Sequence, residues 1–215
     1  MYLADSMQSQ TGYVILGLLS IQGNQSGYDI RRTIQGSVGY FWGESYGQIY
    51  PALKKLAAEG LIAAADAGQR SGGKHRVLGG GRKPARGRPA RRAYSLTPAG
   101  RARLQEWLAQ PFRIDPPRDE FLLKLFFGRE AAPGVSVEHV REFQERNRRL
   151  LRTFEEIGRI GRAKNANHPH FRFWILTLEY GVAQIRAGLR WSEDALRELE
   201  SMERSAGRGQ RKARR

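Results

Sequence analysis

The chain has 215 residues, of which 37 are Lys or Arg and 21 are Asp or Glu, a formal net charge of +16 at pH 7. A 40% apolar fraction suffices for a packed core and excludes wholesale disorder, and zero cysteines exclude a disulfide scaffold, Cys-ligated zinc and thiol chemistry. Four histidines leave little for a metal centre, and no apolar run is long enough to cross a bilayer. The expectation is a soluble, cytoplasmic, nucleoid-associated chain without cofactor or membrane attachment, whose partner carries negative charge.

Residues 11–21 form an apolar run of Val14, Ile15, Leu16, Leu18, Leu19 and Ile21, in which periodicity alone does not separate a buried strand from a buried helix. Ser26, with Asp29 three residues later, marks a helix start, and Tyr28, Ile30 and Ile34 are expected to face inward. Ser45-Tyr46-Gly47-Gln48 has the S-x-x-Q form of a capping box. Ile49, Leu53 and Leu56 then fall at i, i+4 and i+7 as a buried helical stripe, with Tyr46, Gln48, Lys54 and Lys55 on the opposite face. Pro51 conflicts with that helix by about 3 kcal/mol unless the helix bends or starts near Tyr50. Gly60 ends it, and Leu61-Ile62 opens a strand-like run.

Residues 68–92 hold nine Lys or Arg, seven Gly and no acidic residue. Ala93 to Leu96 alternates like a strand, and Thr97 caps a helix with Pro98 at its first position and Leu104, Trp107 and Leu108 directed inward. Three helices, a strand, a long basic loop, a strand and a helix make a winged helix-turn-helix. Residues 1–110 are assigned to it, 111–117 to a linker, 118–205 to an all-helical dimerisation domain and 206–215 to a basic, unstructured tail. The fold class is therefore mainly α.

In the second domain Phe121, Leu122, Leu125, Phe126 and Phe127 form an apolar band. A helix over about 135–163 carries Leu150, Phe154, Ile157 and Ile160. The last helix, about 169–203, carries Phe171, Ile175, Leu178, Val182, Ile185, Leu189, Leu196 and Leu199 at steps of three and four, with Ser192 in the one remaining slot. That is a seam for another helix, most economically a second copy of the chain, and Gly181 and Gly188 beside it permit close approach. The alternative is packing onto the first domain.

The stretches ILGLL at 15–19, SGYDI at 26–30, FWGESYGQIYPALKKLAAEGLI at 41–62, YSLTPAGR at 94–101 and DEFLLKLFF at 119–127 resemble the PadR family of bacterial transcriptional regulators. The long C-terminal half resembles its larger subfamily, typified by a repressor that responds to phenolic acids. The resemblance runs from about residue 12 to 200 and absorbs Pro51, which the family carries within its recognition helix. It implies a homodimeric winged-helix repressor of a palindromic operator in double-stranded DNA, dimerised through the C-terminal helices and released by a small, often aromatic effector. By position, Ser45, Tyr46, Gln48 and Tyr50 would lie at the DNA-facing start of the recognition helix. Gln48 suits bidentate reading of adenine or else caps the helix; Tyr50 suits phosphate or else packs in the core; Lys54 and Lys55 suit phosphate. The family's effector pocket lies between the domains, where Trp107, Phe126, Phe127 and Trp174 are candidates, unless they are core.

The wing departs from the family. It is about double the usual length, and its Arg82, Lys83, Arg86, Arg88 and Arg91 are candidate DNA contacts. Arg86-Gly87-Arg88-Pro89 resembles the core of an AT-hook, which lays two Arg into a narrow minor groove, although Ala85 replaces the usual preceding proline. The run from Gly68 to His75 is close to a phosphate-binding P-loop, but His75 stands where Ser or Thr must ligate Mg²⁺. His168 and His170 lack a carboxylate for a metal site and fit the turn into the last helix. No catalytic constellation is present in the pattern. The rival to a repressor is an architectural, sequence-independent nucleic-acid binder driven by the basic wing and tail.

Overall fold

The computed structural model describes residues 2–42, 46–65, 92–112 and 118–213, and their side chains over 10–42, 47–65, 92–112 and 118–205. The chain divides into one unit of residues 1–112 with 161–168 and a second of residues 113–160 with 169–215.

In the first unit the apolar run is helical. It belongs to α1, Tyr2–Gln22, and buries Thr11, Ile15, Leu16, Leu18 and Leu19 along one side. Gly23, at φ +71°, ends the helix in the left-handed region. The Ser26–Asp29 capping box forms at the start of α2, Gly27–Gln35: Ser26 Oγ accepts from the Asp29 N–H, and the Asp29 carboxylate accepts from the Ser26 N–H at 3.2 Å. Ile30 and Ile34 are buried as expected, but Tyr28 points outward, because it lies on the polar side of α2 with Arg31 and Gln35. A 3₁₀ turn, Tyr46–Gln48, leads into α3, Ile49–Ala58, which buries Ile49, Ala52, Leu53 and Leu56. Pro51 is the third residue of α3, where no intrahelical bond needs its missing N–H, so the conflict disappears. Gly60, at φ +68°, closes α3 with bonds from its N–H to Ala57 O and from the Leu61 N–H to Leu56 O.

β2, Ile62–Ala65, pairs antiparallel with β3, Ala93–Leu96, in the register Ile62↔Leu96 to Ala65↔Ala93. A two-residue strand absent from the sequence reading, β1 at Gln25–Ser26, adds on the other side of β3, giving the order β1-β3-β2. The segment joining β2 to β3 is the predicted wing; residues 66–91 lie outside the described residues. Thr97 caps α4, Pro98–Leu108, accepting from the Gly100 N–H at 3.0 Å while its hydroxyl contacts Leu61 O. A Cβ on Gly100 would lie 2.0 Å from Leu61 O, so only glycine lets α4 start against the strand. Leu104 is buried, whereas Leu108 is exposed and Trp107 half-exposed, contrary to the inward expectation: Trp107 stacks on Tyr13 of α1 at 4.6 Å.

The second unit comprises α5, Glu120–Phe126, α6, Val135–Asn165, up to Ile160, and α7, Phe171–Ala213, and among its described residues all regular structure is helical. α6 meets α7 through Phe154, which fills the space over Gly181, through Phe143 over Gly188, and through Gln144, whose Nε2 donates to Ser192 Oγ at 3.1 Å. Arg186–Glu155 and Arg141–Glu200 pair at the surface. α5 buries none of its residues: Phe121 stacks on Phe143 and meets Trp191 edge-on, while Leu122, Leu123, Phe126 and Phe127 are exposed. The expected apolar band is thus a surface feature, since a two-turn helix with apolar residues all round has only one side to bury. Lys124 hydrogen-bonds Glu120 and holds its carboxyl below the usual range.

α7 runs on to Ala213, ten residues beyond the expected end and into the tail that the sequence reading leaves unstructured. Adding residues to an existing helix needs no new nucleus, and Arg, Lys, Gln and Ala propagate well. The α6–α7 turn contains His168 and His170; the latter lies over the Trp174 ring.

Candidate nucleic-acid interface

The first unit presents an α-helix whose two sides differ sharply. The inner stripe of α3 fixes it against α1 and α2, and the outer side carries Tyr50, Pro51, Lys54 and Lys55. Tyr50 is 61% exposed and is therefore not a core residue. Its ring rests on the start of α2, where a Cβ on Gly27 would come within 2.9 Å of Tyr50 Cε1. Tyr50 and Lys54 are four residues apart and so share one side of α3, one bearing a hydroxyl and the other an ammonium. Both groups bind phosphate oxygens.

Gln48 is half-buried and caps nothing with its side chain, so the capping-box expectation fails in the described half; Ser45 lies outside the described residues. Gln48 ends the 3₁₀ turn and directly precedes α3. Its Oε1 is buried without a hydrogen-bond partner. Of Tyr46 only the backbone is described, in that same turn. Arg82, Lys83, Arg86, Arg88 and Arg91, the AT-hook-like tetrapeptide and the P-loop-like run lie outside the described residues. Just before β3 Arg92 lies over the Tyr94 ring, 5.8 Å from its centroid, a cation held where the predicted wing ends. Arg92, like Tyr28 and Arg31 on α2, is exposed, and none of the three was among the residues expected from the sequence to contact DNA. The signal was available: Tyr28, Arg31 and Gln35 step by three and four opposite Ile30 and Ile34.

The four aromatic candidates for an effector pocket have different surroundings. Trp107 pairs with Tyr13 in the first unit; in the second, Phe126 and Phe127 meet edge-to-face and Trp174 stacks with His170. The cleft beside α3, between Tyr13, Lys55 and Arg103, holds only about 120 Å³, well short of a drug-sized site. Of the predicted seam, Ile185 is buried and Phe171, Ile175, Leu178, Val182, Leu189, Leu196 and Leu199 are half-buried. The glycines beside it receive aromatic rings of α6 from the same chain, so α6 takes up part of the packing assigned to a second copy. Among the described residues no group of three or more His, Cys, Asp or Glu could hold a metal ion, and no helix is long and apolar enough to cross a membrane.

Residues 15–78 match the transcriptional regulator PadR-like family, and residues 117–200 match the C-terminal domain described as virulence activator alpha. The chain is 29% identical to the negative transcriptional regulator PadR of Bacillus subtilis over 189 residues, 86% of this chain and 94% of that protein. The crystal structure of B. subtilis PadR with operator DNA superposes with a TM-score of 0.68 at 25% identity, covering 87% of this chain and 98% of that one. The structure of the same protein with p-coumaric acid gives 0.66 at 25% identity, over 90% and 97%. The Vibrio cholerae virulence activator AphA gives 0.66 at 29% identity, over 89% and 99%. With two family matches in order along the chain and near-full-length likeness to these regulators, the chain is similar throughout to the PadR-type transcriptional regulators.

Proposed function

We propose that the chain is a dimeric repressor that reads a palindromic operator in duplex DNA and leaves it when a small effector binds. The observation that carries this reading is the outer side of α3, where Tyr50 and Lys54 stand exposed over a stripe buried against α1 and α2. In that arrangement α3 enters the major groove, Tyr50, Lys54 and Lys55 bind phosphate, and Gln48 turns its amide outward to an adenine edge. Residues 1–110 form the DNA-binding domain, with Ser45 and Tyr46 at the helix entry and Arg82, Lys83, Arg86, Arg88 and Arg91 of the wing along the backbone or minor groove. Repression is favoured over activation by likeness to a negative regulator along most of its length.

Residues 118–205 supply the dimer contacts. Besides the predicted seam, α7 exposes Phe173, Leu176 and Tyr180 at 68%, 64% and 68%, spaced i, i+3 and i+7 on its other side. An open apolar stripe of that kind suits a two-fold contact between identical helices. For the effector, the p-coumaric acid complex of the B. subtilis relative makes aromatic acids the first class to screen, and Phe126 and Phe127 the first residues to substitute.

The test is affinity for DNA upstream of the protein's own gene against a shuffled duplex at two salt concentrations. A preference of about a thousandfold or more that survives the higher salt establishes operator binding. Equal, steeply salt-dependent binding to both favours the architectural alternative, whose support is the net charge of +16.

A further inference from the structure

We infer that the C-terminal extension of α7 is a second, sequence-independent DNA-binding element, one that grips the phosphate backbone; the inference rests on the DNA-binding reading above. Upstream on α7 two arginines have acidic partners, Arg186 with Glu155 and Arg197 with Asp194, and Glu200 receives Arg141 of α6. Glu203 accepts from the Gly134 N–H at 2.6 Å and is the last acidic residue of the chain. From Arg204 the helix continues for ten residues to Ala213 with Arg204, Arg208, Arg211 and Lys212 and no counter-charge in its sequence. Helical backbone places positions 204, 208 and 211 in one register, separated by about 6 and about 4.5 Å along the axis. Basic residues at that spacing of positions match the scale of successive phosphates.

Two features of the segment argue that these basic residues are meant for a polyanion. Arg204/Arg208 and Arg208/Lys212 are like charges four residues apart, and Gly207 and Gly209 weaken the helix further, so the extension is stabilised by whatever neutralises it. The helix dipole favours cations only at the last turn, which covers fewer charges than are present. The chemistry also selects the polyanion. Between 203 and 213 the uncharged residues are Ser205, Ala206, Gly207, Gly209, Gln210 and Ala213, with no large apolar side chain to enter a lipid headgroup layer. Arginine forks without an apolar face suit nucleic-acid phosphate.

The test compares the full chain with the triple variant Arg208→Gln, Arg211→Gln, Lys212→Gln, which removes charge but keeps good helix formers. Both are titrated with the upstream duplex, a shuffled duplex of equal length, and vesicles of equal phosphatidylserine and phosphatidylcholine, over a range of salt. The expected result is an equal loss on both duplexes, at least about tenfold near 50 mM salt, with the slope of log affinity against log salt falling by about 3 for each chain copy engaged. Unchanged affinity and slope overturn the inference, as does a loss confined to the upstream duplex, or binding to vesicles as tight as to DNA. A parent chain that binds both duplexes equally fails the repressor reading while the slope still tests the extension; one that binds neither overturns both.

Discussion

Gly100 shows how a single side chain, or its absence, decides whether the DNA-binding unit assembles. Because a Cβ there would overlap Leu61 O at 2.0 Å, Gly100→Ala must push the start of α4 off the strand, and a loss of about 1–3 kcal/mol is expected in urea unfolding. Thr97, whose hydroxyl caps α4 and holds the same strand, makes that contact specific. At the interface the residues separate by role. Lys54→Ala is expected to weaken binding to all duplexes alike and lower the salt slope by about 1, measured by titration at several salt concentrations. Gln48→Ala is expected to relax preference at one base pair of the operator, by about 1–3 kcal/mol, seen by comparing operator variants. The stripe of α3 was legible in the sequence, because a period of 3.6 in apolar residues needs no tertiary information. Tyr50 was not: a tyrosine beside a buried stripe fits core or surface equally, and its placement over Gly27 depends on α2.

Between elements, the pairing of α6 with α7 is set by a small polar contact inside an apolar interface. Ser192 is fully buried and receives Gln144 Nε2. Ser192→Ala leaves that amide unpaired, with an expected loss of about 1–3 kcal/mol in chemical denaturation, and Gln144→Leu in the same chain should restore much of it. If the single substitution is neutral, the pair does not fix the register. The Ser26–Asp29 box was legible because both partners lie within four residues of chain. The S-x-x-Q pattern at 45–48 was equally local and still misled: the 3₁₀ turn at Tyr46–Gln48 places the helix start at Ile49, and Gln48 Oε1 turns inward. The same shift of the start explains why Pro51 is tolerated.

For the whole molecule, self-association has two candidate stripes on α7. Phe173→Glu with Tyr180→Glu alters the open stripe, and Ile175→Glu with Val182→Glu alters the predicted seam, part of which α6 already covers. If the open stripe carries the dimer, the first pair yields a monomer by sedimentation and removes the dependence of Tm on protein concentration, while the second lowers Tm without that change. Substituting Arg86 and Arg88 by Ala tests the wing at this scale: a loss on A·T-rich flanks alone supports minor-groove insertion, and a uniform loss sinks it.

The sequence by itself determined the elements from α2 to α4 apart from β1, the buried face of α3, the caps of α2 and α4, the resemblance to the PadR family and the charge that points to a polyanion. Each of these depends on neighbours within a turn or two of chain, or on composition, which no packing alters. The tertiary structure decided what depended on distant partners. It made the run at 11–21 part of a long helix, added β1 to the sheet and turned Tyr28, Leu108 and the α5 band outward. It also gave Gly181 and Gly188 to Phe154 and Phe143 of the same chain. An apolar side chain announces that it will be buried or bound; only the arrangement of the other elements says against what.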